Sequence, residues 1–408
     1  MKQSIRLISL VCVAALLCAG TAPLKGENAL GTPKIPKSIS AEAVNKVNRY
    51  GDNLLKQLYD ENKNVFISPA NMYMAFGMLQ NGAEKNTLLQ LEAALGQKKE
   101  PCNLSCSELR QYLNGERKNT ELQFQNSIWI NKNIAPKIKA SFTNSLIKNY
   151  NAKAELLDFK DSSAPKTIND WVRTNTNGLI EKIVADELDE QTKLFLISTT
   201  YFKSSWKDSF YPSNTKQRSF YAPSGDIEVP MMQRKGSYNY FENEQYQGVV
   251  LPYCDNKTAM IIILPRESLK AFSKAIDSGM LSSFIKKAEY REVDFSMPRL
   301  DINYSAELVP AMKSLGVTDA FNDRANLSGI TGDCSLFVDN ALHKTVLKLD
   351  EAGTMAAAAT SIEVMAKAMP DSEQAAVMTV NRPFYLAIVD LDTELVLFDG
   401  TIVNPLLV

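Results

Sequence analysis

The chain has 408 residues, 45% of them hydrophobic and 22% charged, with a formal net charge of −1. This is globular composition, long enough for a large core. The near-neutral balance gives no electrostatic footprint for nucleic acid or an anionic membrane, and neither is expected as a partner.

The chain opens MKQSIRLISLVCVAALLCAGTAP, in which Lys2 and Arg6 lead an apolar stretch from Leu7 to Ala19 and small residues follow. This is the pattern of a secretory signal peptide over residues 1–22. The apolar run falls short of the roughly 20 residues that a membrane span needs, and no later stretch is a candidate. A secreted protein, extracellular or periplasmic, is expected. A lipoprotein anchor through Cys18 is the weaker reading, because Leu17 stands where a small residue is wanted. Residues 23–43, with Pro, Lys and Ser prominent, read as a flexible leader, and 44–408 as the folded domain.

From about Ala41 the pattern is helical, with Val44, Val47, Leu54, Leu55 and Leu58 at near-helical spacing. NVFISPANMYMAFGMLQNGA predicts a short strand, a Ser-Pro turn and a buried helix. NTLLQLEAALG predicts a helix with a glycine stop, and CSELRQYLNG a shorter one. ELQFQNSIWIN alternates as a strand buried on one face, and INDWVRTNTNGLIEKIV returns to helix and turn. After KLFLISTTYFKSSW nearly everything is strand-like, interrupted by helical interludes at 267–288 and 305–315. No repeat or second linker appears, so the domain reads as one α+β unit with mostly antiparallel strands and helices packed around them.

Catalytic constellations are largely missing. A Ser-His-Asp or Cys-His mechanism needs an imidazole beside the nucleophile. The only histidine is His343, on the apolar face of NALHKTVLKLDEAG, where a hydrogen-bonded core residue is the favoured reading. No phosphate-cradling glycine loop and no zinc-protease motif is present. Once Cys12 and Cys18 leave with the signal, Cys102, Cys106, Cys254 and Cys334 remain. Cys102 and Cys106 could bridge locally, but spacing establishes no pairing, and one histidine with one close cysteine pair makes no zinc site. No enzyme activity, metal or cofactor is expected. Asn103, Asn256, Asn303 and Asn326 each begin a glycosylation sequon.

DEAGTMAAAATSIEVMAK, residues 350–367, joins four alanines, good helix formers, to the β-branched Thr360, Ile362 and Val364. It resembles the reactive-loop hinge of serpins, the serine-protease-inhibitor family. NVFISPANM, INDWVRTNTNGLIEKIV, TTYFKSSW, VPMMQRKGSYNY, LGVTDAFNDRANLSGI, HKTVLKLDEAGT, VNRPFYLAIVD and LVLFDGTIVNP follow in the family order, so the resemblance covers about residues 45–405. It implies three mostly antiparallel sheets surrounded by eight or nine helices, an exposed reactive-centre loop and a metastable native state. It also implies a monomer that traps its target protease as a covalent acyl-enzyme when the cut loop inserts as a strand of the main sheet.

The residues themselves permit insertion. Thr354, Ala356, Ala358, Thr360, Ile362 and Val364 are all small or β-branched, and the first proline is Pro370. The other face carries Met355, Ala357, Ala359, Ser361, Glu363 and Met365, and Gly353 gives the freedom to turn into the sheet. Glu351, Gly353, Thr354, Ala356, Ala357, Ala358, Ala359 and Thr360 form the expected hinge. Met355 stands where inhibitory members usually carry Glu; facing outward, it is expected to change the rate only slightly.

By resemblance the scissile bond lies fourteen residues after the hinge glycine, at Lys367–Ala368. Lys367 is also the only basic residue between Ala352 and Asn381, which suits the acidic pocket of a trypsin-like serine protease. Cleavage near Met365 by a chymotrypsin- or elastase-like enzyme, inhibition of a cysteine protease, and a non-inhibitory carrier or chaperone are the alternatives. The resemblance places Ser68, Asn71, Ser198 and His343 together where the main sheet parts, with serine and asparagine exchanged relative to the usual pattern. Asn71 is expected to reach His343. Trp206 is expected near where the loop first enters the sheet.

Overall fold

The computed structural model describes residues 39–114, 117, 119–355 and 375–407, all within one unit spanning 36–408. The signal segment with Cys18, leader residues 23–38, hinge residues Ala356, Ala357, Ala358, Ala359 and Thr360, and the Lys367–Ala368 bond lie outside the described residues.

Helix α1 (Ala41–Leu58) starts at Ser40, whose side chain accepts the Ala43 N–H, so residues 41–43 of the expected leader form its first turn. Strand β1 (Val65–Ile67) leads into α2 (Pro69–Gly82). Pro69 begins that helix where its missing N–H would have had no partner. Helix α2 is apolar nearly all round and correspondingly buried on all sides. Helix α3 (Lys85–Leu95) stops at Gly96, in the left-handed region at φ +66°. Helix α4 (Lys99–Leu113) begins two turns before the predicted segment, because Pro101 falls in its first turn, where proline is tolerated. Cys102 and Cys106 stand one turn apart on its buried side as free thiols, Sγ to Sγ 4.0 Å.

Strand β2 (Thr120–Asn131), helix α5 (Ala140–Tyr150), strand β3 (Lys153–Leu157), helix α6 (Ala164–Asn175) and strand β4 (Leu194–Ser205) follow. From β5 (Lys216–Ala222) the chain is mostly strand: β6 (Gly225–Glu242), β7 (Tyr246–Pro252) and β8 (Thr258–Pro265). Helices α7 (Leu269–Ala275) and α8 (Ser278–Lys287) fill the predicted interlude. Then come β9 (Glu289–Pro298), β10 (Leu300–Glu307), α9 (Val309–Ser314) and α10 (Ser328–Thr331). Strands β11 (Asn340–Leu349), β12 (Gly353–Thr354), β13 (Ala376–Thr379), β14 (Phe384–Asp390) and β15 (Val396–Ile402) complete the order.

Among the described residues the strands form two hydrogen-bonded sheets. One has six strands in the order β10-β11-β12-β4-β2-β3. The other has nine, β1-β15-β14-β8-β7-β6-β9-β13 with β5 on β6. Two of the three sheets implied by resemblance are therefore continuous, because the 18-residue β6 pairs with β5, β7 and β9 along its length. Ten α-helices surround the sheets among the described residues, one of them the four-residue α10. No described helix is long and apolar enough to cross a membrane.

Strand β4 lies in the middle of the six-stranded sheet and is buried along most of its length. Helix α2 packs between β4 and β15, so one face of this sheet closes over the main core. A second apolar cluster, with Trp129, Ile168, Val172, Ile197 and Val346, lies between its other face and α6.

Candidate functional site

The central sheet is parted at one end. Strands β11 and β4 pair directly in parallel from Asn340↔Phe195 to Val346↔Tyr201. Beyond that point Gly353 and Thr354 sit between them, Thr354 opposite both Leu349 and Ser204 and Gly353 opposite Ser205. The first two residues after the turn at Asp350 are thus already a strand of the main sheet.

Only glycine fits at position 353. Its φ is +150°, and a Cβ would lie 2.2 Å from the Ser204 carbonyl oxygen and 2.7 Å from Ser205 Cα. Thr354 is fully buried, with its Oγ1 2.7 Å from the Tyr253 hydroxyl. Trp206 stacks on Tyr253 at 4.6 Å and donates its Nε1–H to the Asp350 carbonyl, while its backbone N–H binds the Ala352 carbonyl. Trp206 therefore both roofs the gap and anchors the turn that feeds it.

Glu351 holds the base of the hinge. Its carboxylate takes bonds from Arg299 Nε at 3.0 Å and Nη2 at 2.7 Å and from the Thr215 hydroxyl. Burial pushes the Glu351 carboxyl up, but the Arg299 and Thr215 hydrogen bonds outweigh it and hold it below the ordinary range. The next residue out, Met355, has φ +52°, a left-handed conformation that costs a side-chain-bearing residue roughly 1–2 kcal/mol. Its side chain is on the outer face, as the alternation predicts, yet it is half-buried against the cluster beneath α6.

Further down the same strand pair lies the buried histidine. His343 Nε2 accepts the Ser68 backbone N–H at 3.1 Å, so the proton of the neutral ring belongs on Nδ1, which donates to Ser198 Oγ at 3.2 Å. Burial lowers the imidazole pKa to about 3, and the ring is neutral at physiological pH. Ser68 Oγ donates to the Leu397 carbonyl, tying this corner to β15.

Asn71 does not reach His343. Its Nδ2 donates instead to the Thr199 carbonyl at 2.8 Å and to Thr200 Oγ1 at 2.7 Å, and its Oδ1 accepts from Asn126 at 2.6 Å. Fully buried one turn up α2, the amide meets the backbone of β4 before it could reach the ring on β11. It latches β4 to β2, while among the described residues Ser68 and Ser198 serve the imidazole.

The structure thus gathers Glu351, Gly353, Thr354 and Trp206 at the gap and Ser68, Ser198 and His343 at its closed end. Asn71 lies one strand away. Arg299, Thr215, Tyr253 and Asn126 were not predicted, because they come from distant segments with no local pattern to mark them; Asp350 opens the hinge stretch itself, but the contact of its carbonyl with Trp206 is made only in the fold.

A short hinge strand inserted into the open end of a central sheet defines an α+β protein that holds the start of a long chain segment as an extra strand. Comparisons with known proteins agree on the family. The profile described as Serpin (serine protease inhibitor) matches residues 45–405. A serpin-like protein of Thermococcus kodakarensis is 30% identical over 372 residues, 89% of this chain and 85% of that protein. Alpha-1-antiproteinase of Rattus norvegicus is 32% identical over 351 residues, 84% of each. The crystal structure of tengpin, a thermophilic serpin in its native state, superposes with a TM-score of 0.83 at 30% identity, covering 90% of this chain and 95% of that one. The chain belongs to the serpin family. The family-level function is serine protease inhibition, with a protease as partner.

Proposed function

We propose that the protein is a secreted suicide-substrate inhibitor of a trypsin-like serine protease, cut at Lys367–Ala368. The protease serine attacks the Lys367 carbonyl carbon, the bond to Ala368 breaks, and the new amine leaves with a proton. An ester between the serine oxygen and Lys367 remains. Insertion of the freed segment between β11 and β4 then carries the protease away before water can complete hydrolysis.

The observation that carries this reading is the register of the hinge. If the cut segment inserts in the register of the pairs Leu349↔Thr354 and Ser204↔Thr354, Ala356 would come between Leu347 and Phe202, Thr360 between His343 and Ser198, and Ile362 between Ala341 and Leu196. Small loop residues meet bulky neighbours, and a bulky one meets alanine and leucine. The hydroxyl of Thr360 falls where the Ser198–His343 bond must open. Glu363, the only charge before Lys367, falls on the outer face. With each net hydrogen bond worth ~1 kcal/mol, about twelve residues paired on both sides gain on the order of ten kcal/mol or more, even after the β11–β4 ladder separates.

Mass spectrometry of the protein treated with trypsin tests the bond. The expected new N-terminus is Ala368. A cut near Met365, made faster by a chymotrypsin- or elastase-like enzyme, would move the specificity to that class and overturn the trypsin-like assignment.

A further inference from the structure

Trapping makes no use of Cys102 and Cys106. Both are fully buried on one side of α4, with their Sγ atoms 4.0 Å apart. Helix geometry bars the simplest pairing. Side chains four apart on a helix hold their Cβ atoms about 5–6 Å from each other, whereas a disulfide needs about 3.5–4.5 Å. A single ion between the sulfurs reaches both, since two metal–sulfur bonds of about 2.3 Å span up to ~4.6 Å.

The surroundings suit a cation. Each sulfur meets a phenol, Cys102 that of Tyr73 and Cys106 that of Tyr150. The phenol protons are engaged elsewhere: Tyr73 donates to Gln97 Oε1 at 2.7 Å and Tyr150 to Asn103 Oδ1 at 2.6 Å. Their oxygens therefore turn lone pairs toward the sulfurs, which favours a positive centre and opposes a bare thiolate. Gly77, in the middle of α2, keeps room beside the pair, although glycine costs about 1 kcal/mol against alanine inside a helix. A Cβ there would stand 2.9 Å from the Tyr150 hydroxyl and 3.2 Å from Cys102 Sγ.

Coordination number and charge select the ion. Among the described residues no third His, Cys, Asp or Glu joins the pair, so the four ligands of a zinc site are missing. Of the ions that cysteine sulfur selects, copper(I) is the one satisfied by two sulfurs. We propose that Cys102 and Cys106 form a buried copper(I) site. No lysine or arginine acts on Cys106, so a net charge added there would go uncompensated. The ion takes the place of one thiol proton, which leaves to water; the other cysteine binds as a neutral thiol, and the site stays uncharged. Copper remains Cu(I) throughout.

Oxygen-free titration of the mature chain with Cu(I), in competition with the chromophoric chelator bicinchoninate, tests the site. The chain is expected to hold one ion per molecule against the chelator, and X-ray absorption to count two sulfur neighbours. Cys102→Ala and Cys106→Ala are each expected to weaken binding by more than the roughly 10–100-fold that loss of an outer partner costs a metal site. Cys254→Ala leaves the pair intact and is expected to bind as the wild type does; circular dichroism checks that each variant folds. No ion held against the chelator, wild-type affinity in either variant of the pair, or loss of binding in Cys254→Ala would each overturn the proposal.

Discussion

Thr354 is the first inward-facing side chain of the inserting segment, and replacing it with arginine tests the hinge most sharply. It is fully buried, its neighbours across the two ladders are Leu349 and Ser204, and its hydroxyl meets Tyr253 at 2.7 Å. A guanidinium there must leave water without an ion partner on either flank, at a cost of several kcal/mol. A rise of ~4 kcal/mol in the barrier to insertion slows it about a thousandfold, so hydrolysis of the acyl-enzyme wins. Thr354→Val keeps shape and volume and loses one hydrogen bond, ~1 kcal/mol, and should still trap. Each variant is mixed with trypsin, and the band that survives denaturation at the summed mass is compared with the cut inhibitor. Wild type and Thr354→Val are predicted to give mostly the band, and Thr354→Arg only cut protein. A Thr354→Arg band as strong as that of the wild type would refute the hinge geometry.

Glu351→Gln removes the charge that Arg299 and Thr215 hold. Because the Arg299 side chain is 44% exposed, the loss is discounted to about 1–2 kcal/mol, read as a thermal midpoint lower by a few degrees; no change contradicts the anchor. Asn71→Ala strands the Thr199 carbonyl and the Asn126 amide inside the core, and denaturant unfolding should show about 2–5 kcal/mol lost. Stability against pH combines two buried groups of opposite sign. His343, with its pKa lowered to about 3 by burial, takes a proton only when unfolded, so its contribution is full above pH 6.5 and falls by about 1.4 kcal/mol per unit below that. Asp399, raised to about 7 by burial, keeps its proton only when folded, so its contribution grows as pH falls from 7 towards 4 and offsets the histidine. Asp399→Asn should therefore lose stability between pH 6.5 and 4.5 that the wild type retains; parallel urea midpoints in the two proteins contradict the pairing of effects.

The strands of the six-stranded sheet show how far local pattern reaches. Strand β11 keeps its alternation from Asn340 to Thr345, and α1 carries its buried stripe at helical spacing. Strand β2, expected to be buried on one face, is buried on both from Asn126 to Asn131, because Trp129 on its other face packs into the second cluster against α6. Helix α5 was not read, since its buried Phe142, Leu146 and Tyr150 are diluted by polar residues on the exposed faces. The hinge was legible because insertion demands small side chains and no proline, a local constraint. The anchor of Glu351 was not, because Thr215 and Arg299 come from β5's approach and the β9–β10 turn, and only the fold brings them together. The Asn71 contact was misplaced for a related reason. Sequence order gives its helix, but whether a side chain on that helix meets β4 or β11 depends on the packing angle of α2 against the sheet.

The measurement that bears most directly on the central claim is heat unfolding of the mature protein before and after the loop is cut at Lys367–Ala368. Insertion worth on the order of ten kcal/mol should raise the midpoint by roughly 10–15 °C in a domain of this size. A cut protein that unfolds at or below the temperature of the intact one would mean that the loop stays outside the sheet, and the trapping account would be wrong.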